Sequence, residues 1–160
     1  MVEHPGEGAD TVISSLAFFI LGSDIEVLMR AGAGDFIAWG NAADNNIVGN
    51  SGDNKLRRGQ GNDTLDGGAF PDTLTGGTDG DIVAFHAGQT DGDTITDFLG
   101  LTVGRGDLIA LVGYGTAAAC ATFVQISPTG WVVTEAGGGI GEVIHLSNSA
   151  IIGPPDYHFV

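Results

Sequence analysis

The sequence predicts an all-β solenoid of stacked coils, and three observations lead to this fold class. Residues 40–84 divide without a gap into five nine-residue repeats: GNAADNNIV, GNSGDNKLR, RGQGNDTLD, GGAFPDTLT and GGTDGDIVA. The eighth place of every repeat is aliphatic, and the sixth place is always Asn or Asp. A fixed period with a fixed chemical role at each place is typical of repeat architectures.

Each repeat is predicted to contain one turn and one short strand. The first six residues are rich in Gly, which allows positive φ and close backbone packing, so this part turns. The last three residues place one aliphatic side chain between polar or small neighbours, as in a strand with one buried face. Two repeats would complete one coil with a strand on each side. The narrow core is predicted to contain Ile47, Leu56, Leu65, Leu74 and Val83.

Stacking of the coils would bring the sixth-place side chains of alternate repeats together at the turns. Asn45, Asp63 and Asp81 would follow one another along one edge, and Asn54 and Asp72 along the other. Carboxylates at this separation repel unless a cation lies between them, and oxygen-only ligands favour a hard cation such as Ca²⁺. We expect the tightest site between the turns of Asp63 and Asp81. Sites that use an Asn are expected to be weaker or empty.

A flexible linker is the alternative interpretation of this Gly-, Asn- and Asp-rich stretch. A linker has no physical reason to keep an aliphatic residue at every ninth place five times in succession. The repeat architecture is therefore the preferred interpretation.

The repeats resemble the RTX, or haemolysin-type, calcium-binding pattern GGxGxDxUx, in which U is aliphatic. RGQGNDTLD matches the pattern except for Arg58 at its first place, and GGAFPDTLT keeps Gly67, Gly68, Asp72 and Leu74. The resemblance implies a right-handed parallel β-roll that holds several Ca²⁺ ions between its turns. It also implies a secreted bacterial protein that is exported by a type I machinery.

The array departs from the RTX pattern at several places. Phe70 and Pro71 replace the usual Gly and small residue, and Asp79 and Gly80 are transposed. The first two repeats carry Asn where the pattern has Asp. The candidate metal ligands, through side-chain oxygens or through carbonyls of the turns, are Asn45, Asn54, Gly59, Gly61, Asp63, Gly68, Asp72, Gly77, Asp79, Asp81, Asp91 and Asp93.

The length of 160 residues indicates one continuous domain. We expect residues 1–39 to form an N-terminal β cap, residues 40–98 the calcium-binding roll, and residues 99–160 a C-terminal antiparallel β cap. Residues 10–39 should supply two or three strands, including a half-buried strand with Ile25, Val27 and Met29 on one face. A solenoid end exposes its core and needs a cap. The aromatic residues that suit this role are Phe18, Phe19, Phe36 and Trp39.

The nine-residue period ends after Ala84. Asp91 or Asp93 is expected to complete the edge that holds Asp72, although an insertion of three residues disturbs the register. The following segment, DTITDF and then GRGDLIALVGYG, resembles the stretch that closes RTX rolls in serralysin-type C-terminal domains, with Ala110 in place of the second acid. Beyond it we predict a short helix over 116–121 and three strands, over 122–126, 131–134 and 142–146, the first two forming a hairpin.

The charge of the chain excludes some classes of partner. Twenty acidic residues against five basic residues give a net charge of −15. This composition lacks the basic footprint of a nucleic-acid-binding protein and has the wrong sign for anionic lipid. Self-repulsion should loosen the metal-free chain, so cation binding is expected to be coupled to folding.

Sequence motifs of catalysis are absent from the chain. It has no HExxH, GxSxG, P-loop or CxxC motif, and its four His residues are scattered. A single cysteine, Cys120, excludes an intrachain disulfide, and a small core residue is preferred over a reactive thiol. The Arg-Gly-Asp tripeptide at 105–107 is interpreted as part of the roll-closing segment and not as an adhesion motif.

The expected function is that of a non-catalytic, secreted domain that folds on binding Ca²⁺ after export. The N-terminus lacks the pattern of a signal peptide, and the apolar run at 16–21 is too short to span a membrane. The C-terminus, an acid followed by apolar residues, resembles a type I secretion signal. Two alternatives remain open. One is an accessory module of a larger secreted protease, lipase or alginate epimerase, for example one that binds polysaccharide. The net charge of −15 argues against an anionic glycan unless the basic residues cluster on one face: Arg30, Lys55, Arg57, Arg58 and Arg105. Of these, Lys55, Arg57 and Arg58 lie together in the sequence. The other alternative is a piece of a surface adhesin.

Overall fold

The computed structural model describes residues 8–89, 92–100, 106–115, 121–134, 141–148, 150, 152–153 and 156–160. In these ranges the regular secondary structure consists of fifteen short strands without an α-helix. The helix predicted over 116–121 falls almost wholly on residues outside the described ranges. The strands are β1 Thr11–Ser14, β2 Phe18–Ile20, β3 Val27–Arg30, β4 Ile37–Trp39, β5 Asn46–Asn50, β6 Lys55–Arg57, β7 Thr64–Gly68, β8 Thr73–Thr75, β9 Ile82–His86, β10 Asp93–Ile95, β11 Leu108–Val112, β12 Thr122–Gln125, β13 Gly130–Thr134, β14 Glu142–Leu146 and β15 Tyr157–Phe159.

The strands form two sheets, and from β1 to β11 the chain passes from one sheet to the other after every strand. One sheet has the order β1-β3-β5-β7-β9-β11-β15, and the other has the order β12-β13-β14-β10-β8-β6-β4-β2. Each strand of the repeat array pairs in parallel with the second strand along the chain. The predicted all-β fold, a parallel β-roll, is therefore confirmed.

The core of the roll is the aliphatic column that the repeats predict. Ile47 pairs with Leu65 and Leu65 with Val83 in one sheet, and Leu56 pairs with Leu74 in the other. All five side chains are buried, because each is the central residue of its three-residue strand segment and its neighbours point outward. The 18-residue coil is thus confirmed.

The N-terminal strands continue both sheets in parallel instead of crossing the end of the roll. β1 and β3 lead into β5, and β2 and β4 lead into β6. The predicted phase of β3 was wrong: Leu28 is fully buried, whereas Met29 is 42% exposed. Leu28 takes the inward position because it pairs with Ile47, the first member of the core column.

Two of the aromatic residues expected to cap the core lie on the outer face of the second sheet. Phe36 is buried, but Phe18 and Trp39 are 46% and 43% exposed and contact each other edge to face at 5.4 Å. The small side chain of Ala38 takes the inward position of β4, which turns Trp39 outward. These two rings therefore form part of a surface and do not cover the core.

The C-terminal strands extend both sheets beyond the repeat array. The predicted hairpin is confirmed, since β12 and β13 pair antiparallel and place Phe123 and Trp131 in stacked contact at 5.0 Å. β13 pairs antiparallel with β14, which in turn joins β10 in parallel. β15 adds to the other sheet beside β11. Over the described residues, the chain has no helix of the length and apolarity needed to cross a membrane.

Candidate metal centre

Two columns of Asn and Asp side chains run along the turns that connect the sheets. The first column precedes strands of the seven-stranded sheet, and the second precedes strands of the eight-stranded sheet. Every member occupies the residue before a strand or at its start, where the repeats have their sixth place, and every member is buried. The first column comprises Asn45, Asp63, Asp81 and Asp107, and the second comprises Asn54, Asp72 and Asp93.

Hydrogen bonds between successive coils hold each column together. In the first column, the backbone N–H groups of Asn45, Asp63 and Asp81 donate to Oδ1 of the next member, over 2.6, 3.0 and 3.0 Å. In the second column, the N–H groups of Asn54 and Asp72 donate to the next Oδ1 over 2.7 and 2.8 Å. Each of these carboxylates is therefore fixed through Oδ1.

The second oxygen of three carboxylates is left without a partner. Oδ2 of Asp63, Asp72 and Asp81 is buried and receives no hydrogen bond. A buried polar atom without a partner costs free energy, and buried polar atoms in proteins are almost always satisfied. A hard cation bound to these oxygens would satisfy them, so the residues present fit Ca²⁺.

Burial also raises the pKa values of the column carboxyls. Desolvation raises the pKa of Asp63, Asp72 and Asp107 to about 6 and that of Asp93 to about 8. For Asp93 the neighbouring charges of Asp72, Glu142 and Asp66 act in the same direction. Without a cation, these turns therefore hold protons more tightly than exposed aspartates do.

The sequence predicts metal-ligating backbone carbonyls at the turns of Gly59, Gly61, Gly68 and Gly77. Gly59 O accepts the N–H of Thr78 over 3.1 Å, and a Cβ on Gly77 would overlap that same carbonyl oxygen. No three His, Cys, Asp or Glu side chains converge on one point in the part of the chain that the structure describes. A cation in these turns would therefore need carbonyl oxygens beside the carboxylates.

Asp93 and Asp79 occupy different kinds of position. Asp93 continues the second column after Asp72, because the inserted residues are absorbed before β10 and Asp93-Thr94-Ile95 repeats the spacing of Asp72-Thr73-Leu74. Asp79 has a φ of 80° and is not a member of the column, but its Oδ2 accepts the N–H of Gly61 over 3.4 Å. Burial raises the pKa of Asp81, and the charge of Asp79 helps to raise it further. Asp91 lies outside the described residues.

Two acidic residues of the site were missed by sequence reasoning. Asp107 accepts the N–H of Asp81 through Oδ1 and that of Leu99 through Oδ2, the latter over 2.8 Å. Asp97 accepts the N–H groups of Gly76 and Gly77 over 3.0 and 2.8 Å. The signal for Asp107 was available, since it stands two residues before the inward aliphatic Ile109, as every sixth-place residue of the array does.

Two nitrogen groups of the chain also enter the columns. The guanidinium of Arg58 lies 3.6 Å from Oδ1 of Asp63, with both side chains wholly buried. The side-chain amide nitrogen of Asn54 lies 2.9 Å from Oδ1 of Asp72. These contacts occur at the N-terminal end of the columns, whereas Asp93 and Asp107 extend the other end.

Comparison with known families identifies the repeat array. The RTX calcium-binding nonapeptide repeat family matches residues 39–74 and 57–90, which contain all the column members from Asn45 to Asp81. No curated protein matches the chain. RTX repeats form a non-catalytic, calcium-binding module that is typical of proteins secreted by type I systems. Residues 39–90 of this chain are therefore RTX calcium-binding nonapeptide repeats, and they fold as a parallel β-roll.

Proposed function

We propose that the chain is a non-catalytic, secreted domain whose roll folds on binding Ca²⁺ after export by a type I machinery. The observation that carries this proposal is the set of buried carboxylate oxygens without partners, Oδ2 of Asp63, Asp72 and Asp81. Each of these carboxylates also accepts a hydrogen bond from a backbone N–H, which fixes its position. The array therefore suits ion binding better than acid–base catalysis on a substrate.

The charge balance supports coupling between calcium and folding. A net charge of −15 opposes compaction, and stacking the columns brings carboxylates within reach of one another. A cation that binds the folded roll and not the open chain stabilises the fold by mass action. At low calcium the chain would stay loose enough for export, and at the higher calcium outside the cell it would fold.

The experiment that tests this proposal is far-UV circular dichroism during a calcium titration. The protein is first stripped with a chelator, and magnesium serves as the control cation. We expect a cooperative gain of β signal with calcium and little change with magnesium, because Mg²⁺ requires a tighter octahedral shell and gives up its water reluctantly. A stripped protein that already gives its full β signal, unchanged by calcium, would contradict the proposal.

The export route needs a separate experiment. Residues 156–160, an acid followed by the mostly apolar strand β15, resemble a type I secretion signal, and this resemblance supports the proposed route. In a bacterial host that carries a type I exporter, the full chain should reach the medium, and a variant without residues 156–160 should stay in the cells. A control with five residues removed from the N-terminus should be exported normally. Equal export of both truncated forms would argue against this signal.

A second candidate function is binding of an anionic polysaccharide, and one surface favours it. Trp39, Arg57 and Thr75 are paired in one row across β4, β6 and β8 of the second sheet, and Lys55 lies in the neighbouring row. Lys55, Arg57 and the ring of Trp39 are exposed on this outer face. A flat aromatic ring beside two cations and hydroxyl groups suits a uronate-containing chain, in spite of the negative net charge.

Binding of alginate in the presence of calcium tests the second candidate. We expect wild-type protein to be retained on immobilised alginate, and the variants Trp39→Ala and Lys55→Ala to be retained less. Ile13→Ala, which truncates an exposed side chain of the other sheet, is the control. Equal behaviour of all four proteins would leave calcium binding as the function.

A further inference from the structure

We propose that two groups of the chain itself, the Arg58 guanidinium and the Asn54 side-chain amide, take the place of Ca²⁺ in the first turns of the roll. Calcium would then be needed only farther along the columns, where Asp72 meets Asp93 and Asp81 meets Asp107. This inference rests on the proposed calcium-dependent folding and deepens it, because it assigns which turns depend on the metal.

The first residue of each repeat faces the carboxylate or carboxamide of its own turn. A Cβ on Gly67 would overlap Oδ2 of Asp72, and a Cβ on Gly76 would overlap Oδ2 of Asp81. These are the oxygen atoms that lack partners. A side chain at the first place therefore enters the space beside that oxygen. In the five repeats of the array, Arg58 stands where the others have Gly.

Arg58 brings a fixed positive charge into this space. Its Nη1 donates to the backbone carbonyl of Asn45 and lies 3.6 Å from Oδ1 of Asp63. Asp63 and Asp81 both attract the guanidinium, which keeps its positive charge at neutral pH as arginine does in proteins. Nε and Nη2 of Arg58 are buried without hydrogen-bond partners. Arg58 therefore acts on this turn mainly through its charge, as a bound cation would.

A divalent cation at Asp63 would have to share the turn with this guanidinium. Like charges in a desolvated space repel far more strongly than in water. The sequence led to the expectation that the Asp63–Asp81 pair forms the tightest calcium site. The position of Arg58 argues instead that the Asp63 side of this pair is already neutralised.

Asn54 fills the next turn in a different way. Its Nδ2 is surrounded by four oxygens, one from a carboxylate and three from backbone carbonyls. The distances are 2.6 Å to Gly52 O, 2.9 Å to Asp72 Oδ1, 3.0 Å to Gly67 O and 3.3 Å to Asn50 O. An amide NH₂ has only two hydrogens to donate. The four surrounding oxygens therefore outnumber the two hydrogens that the amide can donate. Carboxylate and carbonyl oxygens are the ligands that a hard cation prefers.

The later turns contain no such substitute in the described residues. Gly67 and Gly76 occupy the first places of the repeats that contain Asp72 and Asp81, and both sixth places are acids. Their Oδ2 atoms are unsatisfied, as is Oδ2 of Asp63, so the two parts of the roll differ in the nitrogen groups that enter the turns and not in this oxygen. The roll thus has two parts. In the N-terminal part, β3 to β7, side chains of the protein itself offset the charge of the turns. In the later part, β8 to β11, the carboxylates of the turns would require a bound cation. Because coils of a solenoid contact only their neighbours, the first part can act as a template on which the second part folds.

Calcium stoichiometry tests this assignment, measured by native mass spectrometry and by equilibrium dialysis. Arg58→Gly restores the repeat pattern and opens the turn of Asp63. Asn54→Asp replaces the donor by a carboxylate and opens the oxygen cage. We expect each variant to bind about one Ca²⁺ more per chain than the wild type does. Arg57→Gly removes the adjacent exposed arginine, and Asn46→Asp adds an acid on an exposed strand position. Both controls should keep the wild-type stoichiometry.

Hydrogen exchange of the chelated wild-type protein gives a second, independent readout. Backbone amides of β5 and β7 should stay protected without calcium, while those of β9 and β11 should exchange rapidly. In Arg58→Gly the protection of β7 should also be lost until calcium is added. Equal loss of protection along the whole roll of the wild type would overturn the inference.

The outcomes separate this inference from the function on which it rests. If the wild type binds no calcium, the proposed function fails. If the wild type binds calcium but Arg58→Gly and Asn54→Asp bind no additional ion, calcium-dependent folding stands and the internal substitution is wrong. Should Arg58→Gly not fold, the stoichiometry of Asn54→Asp and the exchange pattern of the wild type still decide the question.

Discussion

The backbone N–H of Asp72 donates to Oδ1 of Asp93 over 2.8 Å, across 21 positions of the chain. The preceding bond of the same column, from Asn54 to Asp72, spans 18 positions. The column therefore continues across the three-residue insertion. As a result, the second column ends in two acids, and Asp93 becomes part of the turn where Asp72 has an unsatisfied oxygen.

Asp93→Asn should weaken calcium binding about tenfold or more. The substitution keeps an oxygen that can accept the N–H of Asp72 but removes the negative charge, and the affinity of calcium sites depends on the number of charged ligands. Isothermal titration calorimetry measures the affinity directly, with about 1.4 kcal/mol for each factor of ten.

The matched control for this change is Asp35→Asn. Asp35 is an exposed acid that also accepts a backbone N–H from the next coil, that of Asp53 over 3.1 Å. The substitution Asp35→Asn removes the same negative charge as Asp93→Asn does, but at a position outside the two columns. If both variants bind calcium equally well, Asp93 is not part of a metal site.

The stability of the roll should depend on pH in opposite directions with and without calcium. In the metal-free protein, burial raises the pKa of Asp63, Asp72 and Asp107 to about 6 and that of Asp93 to about 8, from 3.8 in the unfolded chain. The folded state therefore binds protons more tightly than the unfolded state. Its free energy of unfolding should be highest near pH 4 and should fall as the pH rises to about 8.

With calcium present, protons compete with the metal for the same oxygens, so binding and stability should increase over this pH range. Urea denaturation at pH 5 and pH 8, in chelator and in saturating calcium, measures both trends. The same slope in both conditions would show that the column carboxylates do not bind the ion.

Phe70→Gly should stabilise the protein by ~0.5–1 kcal/mol. Phe70 has a φ of 72° at the fourth place of its repeat, where Gly61 has a φ of 101°. A left-handed backbone is strained for any residue with a Cβ, and the Phe70 side chain is 61% exposed, so its removal sacrifices little packing.

Phe70→Ala separates the two effects in this experiment. The alanine loses the same ring but keeps the Cβ and therefore the strain. Thermal or urea denaturation in saturating calcium should rank the glycine variant above the alanine variant. A glycine variant that is no more stable than the alanine variant would mean that the backbone at this place is not under strain.

Leu65→Ala should cost ~2–5 kcal/mol of stability, as expected for a leucine truncated in a closely packed core. Leu65 is fully buried between Ile47 and Val83, the members of the column above and below it. Ile13→Ala is the control, because Ile13 is 69% exposed and its truncation should change stability by less than about 0.5 kcal/mol. Similar losses in both variants would contradict the buried column.

The sequence predicted the fold well wherever its period was unbroken. The pairing of Leu56 with Leu74 follows from the nine-residue spacing alone, because a strand one residue out of register would turn its aliphatic side chain to solvent. The phase of β3 could not be predicted in the same way. Ile25, Val27, Leu28 and Met29 are all apolar, so alternation does not distinguish the inward face from the outward one.

The members of the candidate site that lie outside the regular repeat pattern were harder to predict than the Asn and Asp residues at the sixth places. Asp107 lies 26 positions after Asp81, and nothing in a periodic count indicates how many residues a longer connection contains. Arg58 departs from the repeat pattern, but the pattern does not predict its burial beside Asp63, because the inward direction of the first place is set by the stacking of the coils. Local spacing predicts which residues share a column and leaves open what fills the space between them.

The alternation of strands between the two sheets limits how such a chain can change in length. Gain or loss of a complete coil returns every later strand to its own sheet and every later Asn or Asp to its own edge. Insertion or deletion of a single nine-residue repeat, by contrast, would move every later strand to the opposite sheet and every later Asn or Asp to the opposite edge. Lengthening by duplication should therefore proceed in pairs of repeats, which leaves every existing strand and turn in its original sheet and edge.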